Sequence, residues 1–229
     1  MPRPDDANPT SDSSVKTAPS SDIAFTPTVK AIQERRGSRA AYHKMEQTRG
    51  WHTTLTPEIA AFIAERDSAY LATANAAGQP YVQHRGGPPG FIRVIDPQTL
   101  GFADYVGNRQ YITTGNLAEN DRAFLFLMDY AHQRRVKIWG RARVVENDPE
   151  LMAILMPPGY DATPEQVILF AIEAWDMNCH QHIPRMVNVA TVAATIEQAE
   201  QRIAKLESEN QRLRRELDQA AKGASRHAK

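Results

Sequence analysis

Phe102-Ala-Asp-Tyr-Val-Gly-Asn-Arg-Gln110 is a strand-like run that ends in a glycine turn carrying an amide and a guanidinium. Such a turn presents backbone N–H groups, the Asn108 amide and the fixed positive fork of Arg109 to a phosphate in one place. Upstream lies a second basic, glycine-rich stretch, Gln83-His-Arg-Gly-Gly-Pro-Pro-Gly-Phe-Ile-Arg93, whose bends let backbone approach a ligand closely. Each stretch alone is also an ordinary strand-end turn; the two together point to a phosphorylated ligand.

Outward from these stretches, the pattern is one of short strands. Ala69 to Ala74 and Tyr81 to His84 flank the turn Ala76-Ala77-Gly78-Gln79 and predict a hairpin. Further strands are expected at Phe91 to Ile95, Thr99 to Asp104, Ala123 to Asp129 and Arg135 to Val145, with turn signals at Asp96-Pro97 and Asn147-Asp148-Pro149. Helices are expected at Thr28 to Arg35, at Tyr111 to Glu119 and at Thr56 to Arg66. The last of these has Thr56 as N-cap, Pro57 and Glu58 in its first turn, and Ile59, Phe62 and Ile63 on one side. Closely spaced strands with few helices between them favour an antiparallel barrel over a doubly wound sheet, hence a mainly β, α+β class.

Composition bounds the function. The chain has 229 residues, 41% hydrophobic and 24% charged, which suits one main domain with appendages. Its 27 Lys and Arg balance 27 Asp and Glu, so no global field draws it to nucleic acid or an anionic membrane, and a phosphate site must rest on local charge. The single cysteine, Cys179, excludes an internal disulfide framework and fits a reducing, cytoplasmic compartment. No apolar run reaches the roughly 18 residues a membrane span needs, and the start lacks the apolar core of a secretory signal. Residues 1–25, rich in Ser, Pro, Asp and Thr, are expected to form a disordered tail. Residues 26–187 form the folded body, 188–221 one charged, proline-free helix, and 222–229 a flexible basic end.

The order Gly78-Gln-Pro-Tyr-Val-Gln-His-Arg-Gly-Gly-Pro-Pro-Gly-Phe91, Phe102 to Tyr111, Gly115-Asn-Leu, Asn120-Asp-Arg, Leu125-Phe-Leu-Met-Asp-Tyr130 and Arg134-Arg-Val-Lys-Ile-Trp-Gly140 resembles the pyridoxamine 5′-phosphate oxidase-like flavin-binding split-barrel proteins. The branch of flavin-nucleotide-binding proteins is the most similar, with Trp175-Asp-Met-Asn-Cys-His-Gln-His-Ile-Pro-Arg185 also fitting, and the likeness covers roughly residues 55 to 186. The resemblance implies a six-stranded antiparallel split β-barrel that dimerises, with FMN in a groove shared by two subunits. It implies that Arg109 binds the phosphate, flanked by Asn108 and Gln110, and that either Arg93 or Arg85 supplies a second basic contact. Arg135 matches a position that reaches the flavin from a neighbouring strand. Trp175 and Arg185 keep a family spacing in which the arginine approaches the ring from the other subunit. A cation there would stabilise the anionic reduced ring. The implied activity is an oxidoreductase working with NAD(P)H or a small organic substrate; the alternative is a non-catalytic flavin- or haem-binding module, or an adaptor assembled through the C-terminal helix.

The end of the chain departs from the oxidase that makes pyridoxal phosphate. It lacks the Arg-Leu-His type of motif and has Asn178-Cys-His-Gln-His182 instead, which puts vitamin B6 chemistry in doubt. Cys179, His180 and His182 could ligate a metal, but no second Cys or His pair at ligand spacing accompanies them, so no metal is expected. His182 is a weak catalytic candidate against the simpler role of a hydrogen-bonded histidine. Trp139, alternating with basic residues, reads as an apolar strand side covering the barrel or a dimer seam.

The C-terminal helix carries a heptad. With Ile196 at position a, Ile203, Asn210 and Leu217 follow at a, while Ala199, Leu206, Leu213 and Ala220 fall at d. β-Branched a residues with leucine at d favour two parallel strands, and a single buried asparagine at a fixes their register. Across such a pair Arg202 meets Glu207 and Glu209 meets Arg214, opposite in charge both times. A parallel coiled-coil homodimer is therefore expected, and a basic zipper is not, because no basic region precedes the heptads.

Overall fold

A computed structural model describes residues 18–178 and 181–227. The described chain falls into two compact units, one of residues up to Asp129 together with Arg134–Gln181, the other of Tyr130–Gln133 with residues from His182 on.

The first unit is built on seven antiparallel strands in the order β2-β1-β5-β6-β7-β4-β3: β1 Ser68–Ala74, β2 Pro80–Gly86, β3 Arg93–Asp96, β4 Thr99–Tyr105, β5 Arg122–Asp129, β6 Arg134–Val145 and β7 Pro164–Asn178. Helices α1 (Pro27–Arg35), α2 (Arg39–Thr48), α3 (Pro57–Ala64), α4 (Ile112–Glu119) and α5 (Pro149–Leu155) flank the sheet. The α+β class and the antiparallel sheet match the sequence expectation. The strand number does not: six were expected, and the seventh is β7. Its Val167-Ile-Leu-Phe-Ala-Ile172 run lies between β6 and β4 and is apolar at every position, so its residues show neither a two-residue nor a helical period, although Ile168, Phe170 and Ile172 are buried and Ala171 is exposed. The sheet is not closed by a hydrogen-bond ladder. It curls far enough for Arg85 on β2 to pair with Asp104 on β4, although four strands separate β2 from β4 in the sheet order.

Alternation explains the strands that the sequence did reveal. On β5, Ala123, Leu125, Leu127 and Asp129 are buried while their neighbours are not, and on β6 Val136, Ile138 and Ala142 join them beneath Ile59, Phe62 and Ile63 of α3. Helix α3 starts as its residues dictate: the Thr56 hydroxyl accepts from the Ile59 N–H at 3.4 Å, with Pro57 at the first helical position. Thr26 caps α1 in the same way, accepting from Val29 N–H at 3.3 Å. Asp148, expected only as a turn residue, caps α5 by accepting from Leu151 N–H at 2.9 Å.

Two bulges shape β7. Trp139 faces Ala174 but Gly140 faces Ile172, leaving Glu173 as the extra residue, and Asp104 faces Gln166 while Tyr105 faces Pro164, leaving Glu165. The first requires glycine: a Cβ at Gly140 would stand 2.0 Å from the Ala171 carbonyl oxygen.

The expected tail ends earlier than residue 25. Ser20–Ile23 form a 3-10 turn, Ser21 is buried, Ser20 Oγ donates to the Trp51 carbonyl at 2.6 Å and Phe25 packs edge-on against Trp51. Residues 1–17 of that tail lie outside the described residues, as do Cys179 and His180. Helix α2 was not expected; none of its residues is buried, and an Arg39–Glu46 ion pair ties its first turn to its last.

In the second unit, Gln133 Nε2 donates to the Ile183 carbonyl at 2.6 Å, and α6 (Val189–His227) forms a single helix. It passes Ala221, the expected end, because no proline interrupts the residues that follow. Among the described residues no helix is long and apolar enough to cross a membrane.

Candidate functional site

The stretch from β4 into α4 makes a sharp polar bend. After Tyr105 the chain turns through Gly107 and Asn108. Arg109 (φ 57°) and Tyr111 (φ 52°) then adopt the left-handed conformation that non-glycine residues rarely hold. Asn108 Oδ1 accepts from the Gln110 N–H at 3.2 Å, a local Asx turn. The Tyr111 hydroxyl donates to Glu165 Oε1 at 2.7 Å, in the second bulge of β7, and this bond pushes the phenol pKa up. Tyr111 sits at the N-cap of α4 but contributes no capping side chain, so it offers the first-turn N–H groups no acceptor.

The bend borders a cleft of about 250 Å³ whose lining includes Arg85, Asp104, Asn108, Arg109, Thr113 and Gln166. Its floor is a hydrogen-bonded network. Arg85 forms an ion pair with Asp104, whose other oxygen accepts from Gln166 Nε2 at 2.8 Å; Gln166 also reaches Thr114 Oγ1 at 2.9 Å. The Thr113 hydroxyl donates to Gln83 Oε1 at 2.8 Å. Burial pulls the Arg85 pKa down, with the Asp104 charge opposing it, and the buried Arg85 Nε has no hydrogen-bond partner. A buried guanidinium with a spare N–H beside a polar opening is a donor awaiting an acceptor.

Of the residues singled out from sequence, Arg85, Asn108, Arg109 and Gln110 come together in this cleft. Of the two arginines between which the sequence left the choice open, Arg85 lines it and Arg93, at the start of β3, does not. Arg135, opposite Met128 on β5, and Trp175 are also absent from the lining. Trp175 is 5% exposed, donates its indole N–H to the Thr54 carbonyl at 2.8 Å and stacks on His52 at 4.4 Å, so it serves the packing of β7. Arg185 and His182 belong to the second unit; both are exposed, and His182 adopts φ 63°. Among the described residues no group of three His, Cys, Asp or Glu could hold a metal. The reading from sequence missed Asp104 as the partner of Arg85, and missed Gln166, Thr113, Thr114 and the Tyr111–Glu165 pair. Asp104 lay within the quoted stretch, and Gln166 was a lone amide ahead of an apolar run.

The family model described as pyridoxamine 5′-phosphate oxidase matches residues 55–179. The chain belongs to that family. In this member of the pyridoxamine 5′-phosphate oxidase family the matched segment contains the whole cleft, whereas α1, α2 and α6 lie outside it. No curated protein sequence matches the chain. Among solved structures, an FMN-binding protein from Syntrophomonas wolfei subsp. wolfei is similar at 12% identity and a TM-score of 0.43, over 65% of this chain and 97% of that one. HupZ of Group A Streptococcus is similar at 15% identity and a TM-score of 0.43, over 58% and 100%. HutZ, the heme storage protein from Vibrio cholerae, is similar at 18% identity and a TM-score of 0.38, over 54% and 94%.

Proposed function

We propose that the protein is an FMN-binding homodimeric oxidoreductase acting on a small molecule, with the flavin phosphate seated between Arg109 and the start of α4. The observation that carries this reading is the placement of Arg109, which has no ion-pair partner among the described residues, beside the uncapped first turn of α4. A phosphate monoester carries close to two negative charges near neutral pH and suits a guanidinium fork together with helix N–H groups. The spare Arg85 Nε, the Gln110 amide and the hydroxyls of Thr113 and Thr114 extend the donor set. The cleft also contains two carboxylates, but each is already engaged, Asp104 by Arg85 and Gln166, Glu165 by Tyr111. The residues present therefore fit the phosphate of the cofactor that family membership leads one to expect. Bound FMN supplies the electron-transfer chemistry; the chain's contribution is to hold the phosphate and fix the ring's orientation.

Homodimer formation is supported by α6. Ile203, Leu206 and Leu213 are 55%, 45% and 45% exposed along one face, with the complementary Arg202/Glu207 and Glu209/Arg214 positions beside it. A parallel pair would place two chains' clefts in one particle at high effective concentration. The single cysteine supports a reducing, cytoplasmic setting.

Arg109→Ala tests the reading. Losing a charge-assisted phosphate contact costs about 1.5 to 3 kcal/mol, so FMN affinity measured by flavin fluorescence should fall about 10- to 100-fold while the oligomeric mass stays the same. Unchanged affinity would contradict the phosphate role of the cleft.

A further inference from the structure

A second cavity, of about 310 Å³, shares no lining residue with the Arg109 cleft. It forms where the N-terminal helical segment crosses the outer side of β6 and β7. Four aromatic rings wall it: Trp51 stacks on Trp139 at 4.5 Å and 16°, and Phe25 meets Trp51 edge-on at 5.0 Å and Tyr42 at 5.2 Å. Lys137 Nζ lies 5.5 Å and 5.1 Å from the Trp51 and Trp139 ring centroids and 3.1 Å from Asp176 Oδ2. Arg49, exposed and without an ion-pair partner among the described residues, also lines the opening, as does His52. Phe25, Tyr42, Arg49 and Trp51 all precede residue 55, where the family match begins, so this cavity is built by the chain's own extension.

Trp51 closes on one face of Trp139, and the four rings leave an open space beside that stack. That space lies at the lower edge of the roughly 300–1,000 Å³ typical of small-molecule sites, with few polar groups converging on it. Charge selects the ligand. Lys137 and Asp176 offset one another, which leaves Arg49 as net positive charge, and the Lys137 ammonium already sits near both indole rings, which disfavours a second cation there. We infer that this cavity binds a small planar aromatic anion, its ring packed against the Phe25, Tyr42, Trp51 and Trp139 walls and its carboxylate, sulfonate or phosphate turned to Arg49. The inference is independent of the flavin reading.

The test uses the full chain and two fluorescent probes of one ring system, 8-anilinonaphthalene-1-sulfonate and its uncharged parent N-phenyl-1-naphthylamine. The sulfonate should bind at one saturable site per chain with energy transfer from tryptophan, and about tenfold more tightly than the neutral probe. Arg49→Gln, at an exposed side chain with no ion-pair partner, should remove that gap without altering the unfolding midpoint, and Arg109→Ala should leave it intact. Trp51→Leu should abolish saturable binding. Equal affinity for both probes in the unmodified protein, a gap that survives Arg49→Gln, or binding that does not saturate would overturn the inference.

Discussion

Arg85 holds the electrostatic balance of the cleft. Its guanidinium is desolvated, its charge is met by Asp104 alone among the described carboxylates, and its Nε has no hydrogen-bond partner. Removing the counter-charge should therefore destabilise the free protein and make it more dependent on an anionic ligand. Asp104→Asn is expected to lower the unfolding free energy by about 2 to 3 kcal/mol, and the rise in melting temperature produced by FMN should be larger in the variant than in the unmodified protein. Equal ligand-induced shifts would mean that Arg85 does not sense the phosphate. At this scale the sequence exposed Asn108, Arg109 and Gln110, because turn chemistry is local and the Asx bond spans two residues. It hid Gln166, whose bond to Asp104 spans 62 residues and exists only once β4 and β7 are paired.

At the scale of elements, two substitutions separate backbone geometry from capping. Gly140→Ala places a methyl group 2.0 Å from a backbone carbonyl that cannot yield without disturbing the β6–β7 ladder, so it should cost about 3 kcal/mol in urea unfolding. A loss below about 1 kcal/mol would show that the bulge relaxes readily. Thr56→Ala removes only the α3 cap and should cost about 1 kcal/mol, with Thr56→Ser restoring most of it. An equal loss in both Thr56 variants would assign the effect to packing rather than to the hydroxyl. Strands with one wet face and helices with a capping residue were readable from sequence, since period and cap are written in adjacent residues. β7 was not readable, being apolar at every position from Val167 to Ile172, nor was α2, which buries no residue and is held end to end by its Arg39–Glu46 pair.

At the scale of the whole molecule, the heptad of α6 and the flavin reading make separate demands. In a parallel, in-register coil each a residue meets its own counterpart at a distance a disulfide can bridge. Ile203→Cys on a Cys179→Ser background should then form a covalent dimer under mild oxidation, seen by non-reducing electrophoresis. Failure to cross-link would exclude that register. The family and the antiparallel sheet were both apparent from sequence, because the motifs that carry them lie within residues 55–179. The aromatic cavity was not, because its walls come from segments far apart in the chain. The most direct test of the central claim is to denature the purified protein after incubation with FMN and identify the released small molecule by mass. The account predicts FMN at one per chain, held about 10- to 100-fold less tightly in Arg109→Ala; haem in its place, or no cofactor at all, would contradict it.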